Sequence, residues 1–105
     1  MTRPIDIRPH DLDIVRSILD TGLPPDTKIW VFGSRATGGT KASSDLDLAI
    51  DAGRKLTSEE QSVLREGFED SDLPYTVDVV DWATVSETFR KIIERDRVAL
   101  PLPFA

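Results

Sequence analysis

Behind Pro9, a residue suited to a first helical turn, Leu12, Val15, Ile18 and Leu19 recur at helical spacing until Gly22 and Pro24 close the run. That pattern predicts a first helix. KIWVF (Lys28–Phe32) is apolar almost throughout and rich in aromatic and β-branched residues, which reads as a buried strand that stops at Gly33. DLDLAID (45–51) alternates instead. Leu46, Leu48 and Ile50 point one way and Asp45, Asp47, Ala49 and Asp51 the other, so this strand carries an acidic face. Thr57 with Glu60 forms a capping-box signature before a helix that reaches about Asp70 and is expected to bury Val63, Leu64 and Phe68. TVDVV (76–80) reads as a third strand. A last helix is expected from near Thr84, with Glu87 as its capping partner and Phe89, Ile92 and Ile93 facing inward. The expected order is helix, strand, strand, helix, strand, helix, an α/β (α+β) arrangement with linker-like GLPPD and PLPFA segments.

With 105 residues the chain suits one domain, taken as 1–105. The hydrophobic share of 39% and charged share of 30% are ordinary for a globular protein, and no apolar run approaches the roughly 20 residues of a membrane helix. The N-terminus, MTRPIDIRPHDLDIV, lacks an apolar signal core, and there is no cysteine; both favour a cytoplasmic location and no membrane association. A net charge of −6 disfavours direct nucleic-acid binding, because that affinity comes largely from Lys and Arg displacing counterions at phosphates. Small anions such as nucleotides stay open if metal ions bring the positive charge.

The chemistry concentrates in GSRATGGTKASSDLDLAID (33–51). A P-loop would need lysine where Gly39 stands. A calcium-binding EF-hand loop counted from Asp45 finds Ile50 and Leu56 in place of its glycine and glutamate. The remaining pattern is Gly33-Ser34, ten residues, then Asp45-Leu46-Asp47. Carboxylates two apart on a strand share a face, where their repulsion is costly unless cations lie between them. Magnesium suits such oxygen ligands and keeps part of its shell for phosphates, and two ions about 4 Å apart can clamp an in-line displacement. Glycine lets backbone approach a ligand closely, and amides opening a helix after Ser34 would point at phosphates.

The glycine-serine pair, spacer and Asp-x-Asp resemble the signature of the DNA polymerase β-like nucleotidyltransferase superfamily. Size and element order are similar to its minimal nucleotidyltransferases, the antitoxin-type proteins paired with HEPN-domain toxins. The resemblance spans about residues 12–93 and implies a small mixed sheet flanked by helices. It implies metal binding and catalysis by Asp45, Asp47 and Asp78, the last from VDVV, and nucleotide binding by Gly33, Ser34, Arg35 and Ser44. It also implies ATP as substrate, two Mg²⁺ ions and transfer of AMP to a hydroxyl, plausibly a tyrosine, of a HEPN-type protein toxin. Thr37 stands where many relatives have a second arginine, and the helical second domain of larger transferases is lacking. Competing readings are a non-catalytic antitoxin acting by stoichiometric binding and transfer to a small molecule such as an aminoglycoside. Asp51 and Asp81 read as structural, His10 as a surface or capping residue, Trp30, Phe32 and Trp82 as core, and Arg35 and Lys41 as basic residues of a polar loop.

Overall fold

A computed structural model describes residues 7–37 and 45–100 of the chain. Pro9 opens α1 (Pro9–Gly22), whose buried stripe is Asp11, Val15 and Leu19. β1 (Lys28–Phe32) leads through Gly33 into one helical turn, α2 (Ser34–Thr37). β2 (Leu46–Asp51), α3 (Ser58–Glu69), β3 (Val77–Asp81), α4 (Glu87–Asp96) and β4 (Val98–Ala99) follow. The sheet order is β3-β2-β1-β4, with β1 antiparallel to β2 and β4, and β2 parallel to β3. A parallel pair cannot be joined by a tight turn, and α3 supplies the crossover.

The two faces of the sheet bury different elements. Ile29, Val31, Leu46, Leu48 and Ile50 form the main core with Val15 and Leu19 of α1 and Leu64 and Phe68 of α3. On the other face Phe32 and Ala49 pack with Ile93 of α4, bordered by Trp30, Val80, Trp82 and Phe89. The alternation expected of β2 therefore holds at Leu46, Leu48 and Ile50, while Ala49 is buried as well because α4 covers it.

Several expectations need correction. The last helix begins at Glu87, not near Thr84, because the Thr84 hydroxyl and the Thr84 and Val85 amides all donate to the Asp81 carbonyl and close a turn. Its cap is Ser86, whose Oγ accepts from the Phe89 amide at 3.2 Å. Ile92 and Val63 are 44% and 38% exposed, where burial was expected. One helical position rotates a side chain by about 100°, so Leu64 with Phe68, and Phe89 with Ile93, take the sheet-facing stripes and push their neighbours outward. The third strand runs one residue later than TVDVV, and β4 was not anticipated; it joins β1 at Trp30 and Val31, extended by the Leu100 amide donating to the Ile29 carbonyl at 2.9 Å.

Candidate functional site

At the end of β1, Phe32 pairs with Asp47 of β2, and Asp47 pairs in turn with Asp78 of β3. This row brings the Gly33 turn and two of the expected carboxylates to one end of the strands, on the face that α4 covers further along. Gly33 has φ +75°, and a Cβ there would run into Oδ2 of Asp47. Glycine is required twice over, for the left-handed backbone and for the close approach of the turn to the carboxylate.

Asp45 is exposed just before β2, Asp47 is half-buried and Asp78 exposed. Burial first, then the charges of Asp78 and Asp45, hold the Asp47 carboxyl above its ordinary value. Among the described residues no three acidic, histidine or cysteine side chains converge as a ready-made ion cage. The donor chemistry nevertheless fits a hard divalent cation that shares its shell with substrate phosphates: carboxylate oxygens, mutually repelling and partly open to solvent.

Arg35 occupies a different environment from that of an exposed loop cation. It is 6% exposed, with its guanidinium 3.9 Å from the centre of the Tyr75 ring. The Tyr75 hydroxyl donates to Asp11 Oδ2 at 3.3 Å, and Arg8 Nε donates to the same oxygen at 3.3 Å. Burial, with the Asp11 carboxylate next, pushes the Tyr75 phenol up to about 12. These contacts tie α2 to α1 and to the chain entering β3, three residues before Asp78. Asp11 and Tyr75 were not singled out from sequence. The signal was present in α1, where Asp11 shares the stripe of Val15 and Leu19 and so had to be buried with a partner.

Ser34 is half-buried at the first position of α2. Ser44 and Lys41 lie outside the described residues. Asp51 Oδ1 accepts from the Gly53 amide at 2.9 Å, and Asp81 accepts from the Leu56 amide at 2.9 Å and the Ala83 amide at 3.1 Å, so both carboxylates hold turns. Phe32 is buried, whereas the rings of Trp30 and Trp82, 5.5 Å apart, are half-buried under the guanidinium of Arg97. His10 is exposed. No described helix is long and apolar enough to cross a membrane.

Residues 24–100 match the family profile described as Polymerase beta, Nucleotidyltransferase. The chain is 47% identical over 96 residues to a Haemophilus influenzae protein named probable protein adenylyltransferase MntA, the match covering 91% of this chain and 83% of that one. A crystal structure of a toxin-antitoxin with AMP-PNP has a similar fold, with a TM-score of 0.72 and 24% identity over 88% of this chain and 73% of that one. So does a chain from the complex of a tri-AMPylated Shewanella oneidensis HEPN toxin with its MNT antitoxin, at a TM-score of 0.65 and 22% identity, covering 89% and 71%. The profile match takes in every strand of the sheet and both Gly33-Ser34 and Asp45-Leu46-Asp47, and with the Haemophilus relative it shows that this chain belongs to the polymerase beta nucleotidyltransferase family.

Proposed function

We propose that this chain transfers AMP from ATP to a protein hydroxyl in a Mg²⁺-dependent reaction. The acceptor is a tyrosine of a HEPN-domain toxin, and the chain serves as the antitoxin of that pair, in the cytoplasm where ATP is abundant. The observation that carries the reading is the row Phe32–Asp47–Asp78, which sets the Gly33 turn against two carboxylates. The adenylyltransferase name of the Haemophilus relative and the AMPylated toxin in the Shewanella complex support the choice of group and acceptor.

In this reading Asp45, Asp47 and Asp78 would hold two Mg²⁺ ions, which when bound would neutralise the phosphates and the charge that develops on them. Gly33 keeps the turn free of a Cβ, so that backbone comes close to the phosphates, and Ser34 offers its hydroxyl there. Arg35 and Ser44 complete the nucleotide group, Arg35 from its seat on Tyr75. Asp78, on the outermost strand and exposed, faces the entering hydroxyl and favours loss of its proton. Most of the rate enhancement then comes from positioning and charge stabilisation, with no covalent intermediate on the chain.

The test incubates the purified chain with α-labelled ATP and Mg²⁺ in extract of its host, beside the Asp45→Asn variant. A labelled protein band that appears with wild type alone supports transfer and yields the acceptor. If neither labels anything while the unmodified toxin is still inhibited by contact, the stoichiometric antitoxin reading replaces it.

A further inference from the structure

β3 is paired on one side only: β2 flanks it, and no described strand lies beyond it. The Leu46 amide donates to the Thr76 carbonyl at 2.9 Å and the Trp82 amide to the Ile50 carbonyl at 2.9 Å. The backbones of Thr76, Asp78, Val80 and Trp82 therefore face β2, and by the two-residue period those of Val77 and Val79 face outward. Asp81, the next outward residue, has its carbonyl occupied by the Thr84 and Val85 amides at 3.0 and 3.2 Å. Beyond the edge runs a cleft of about 780 Å³ whose opposite wall is α3, with Leu64, Arg65, Phe68 and Glu69 facing β3 across it. Natural edge strands are commonly blunted by proline, lysine or a bulge. β3 has no proline, lysine or bulge: its sequence is VDVVD, its register with β2 is unbroken, and of its two charges Asp78 belongs to the carboxylate row while the Asp81 carboxylate is held by the Leu56 and Ala83 amides.

We propose that this edge docks the acceptor: an extended segment of the acceptor protein adds to β3 as a further strand, its hydroxyl residue beside Asp78 and that residue's two neighbours in the cleft. The proposal rests on the transferase reading of the site and says how the hydroxyl reaches it. An added strand lies about 4.8 Å from β3, so the row Phe32–Asp47–Asp78 continues into one acceptor residue. Side chains alternate along that strand. A hydroxyl on the carboxylate face obliges the residues before and after it to point to the other face, where the half-buried Val77 and Val79, backed by the core residues Leu64 and Phe68, offer an apolar wall. The recognised pattern is apolar–hydroxyl–apolar. Main-chain bonds to Val77 and Val79 supply affinity without regard to side chain. The cleft is lined by Glu69, Asp78 and Asp81 against Arg65, in a chain of net charge −6, so lysine or arginine flanking the triplet adds attraction.

The probe is a synthetic peptide, Lys-Val-Tyr-Val-Lys, titrated to its solubility limit into the ¹⁵N-labelled full chain with ATP and Mg²⁺ while amide exchange and AMP incorporation are followed together. Exchange at the Val77 and Val79 amides is expected to slow about tenfold or more at saturation, with the Val31 amide, inside the sheet, unchanged. Unchanged exchange at Val77 and Val79 overturns the docking proposal, whether or not the tyrosine is labelled. AMP incorporation is read separately: protection of both amides with no transfer to this peptide or to the HEPN-domain toxin supports the docking edge and counts against the transferase reading. Moving the tyrosine one position along the peptide is expected to keep the protection and lose the label.

Discussion

At the scale of single residues, Gly33 is the position where backbone conformation and chemistry coincide. Its φ of +75° excludes most side chains, and the space a Cβ would need is held by Asp47 Oδ2. Gly33→Ala is expected to cost about 1–3 kcal/mol from the left-handed backbone alone. By displacing Asp47 it should also lower AMP transfer about a hundredfold; urea unfolding and labelled-ATP transfer on the same preparation check the two effects. Tyr75 gives a second prediction, made clean because it is the only tyrosine in the chain. Its phenolate absorbance should titrate near 12 in the folded protein, above the ordinary 10.0, because burial and then the Asp11 carboxylate disfavour the anion. A raised folded value means that this group's stabilisation is full below about pH 10 and is lost as pH rises toward about 12. The thermal midpoint of wild type should therefore fall more steeply over that window than that of Tyr75→Phe; parallel curves would show that the phenol is open to solvent.

Elements differ in how openly their residues announce them. The capping box of α3 was readable because its signal is local: the Thr57 hydroxyl accepts from the Glu60 amide at 3.0 Å, and Glu60 accepts from the Thr57 amide at 2.9 Å. Thr57→Ala should cost about 1 kcal/mol, measured by denaturant midpoint. α4 was harder, because Thr84 and Ser86 both suit a cap and the choice depends on the Asp81 carbonyl, which captures the Thr84 hydroxyl and amide. β4 carries too few residues to show a period, and only the open edge of β1 makes it a strand. In the candidate site, the spacing of Gly33-Ser34 and Asp45-Leu46-Asp47 was visible because motif and alternation are sequence properties, whereas Asp78 was reached only through what the family resemblance implies. The seat of Arg35 on Tyr75 was not, since it joins residues forty apart, with the Tyr75 hydroxyl held in turn by a buried Asp11. α4 also shows how thin the cover of the second face is, as Ile93 is its one buried residue. Ile93→Ala should cost about 2–5 kcal/mol and expose Trp30 and Trp82 to solvent, a change that tryptophan fluorescence reports.

For the molecule as a whole, fold and chemistry pull against each other at the carboxylate row. Nineteen acidic side chains face thirteen lysines and arginines, and the strand pairing that completes the sheet also forces Asp47 beside Asp78. Burial first, and then the repulsion of Asp78 and Asp45, raise the Asp47 carboxyl, a cost to the fold that bound cations would relieve. Asp47→Asn should therefore stabilise the metal-free protein slightly, on the order of 0.5 kcal/mol given the partial exposure of the site. The same change should lower AMP transfer by about 10²–10³-fold, the scale of removing one charge-stabilising group. Mg²⁺, binding the folded state alone, should raise the unfolding midpoint of wild type and leave that of Asp47→Asn nearly still, so that the order of the two proteins narrows or inverts as the ion is added. If Asp47→Asn instead unfolds more readily without metal, the carboxylate is held by the fold rather than strained within it. The proposed metal role would then lose its electrostatic argument, and the row would stand as a structural ladder beside the Gly33 turn.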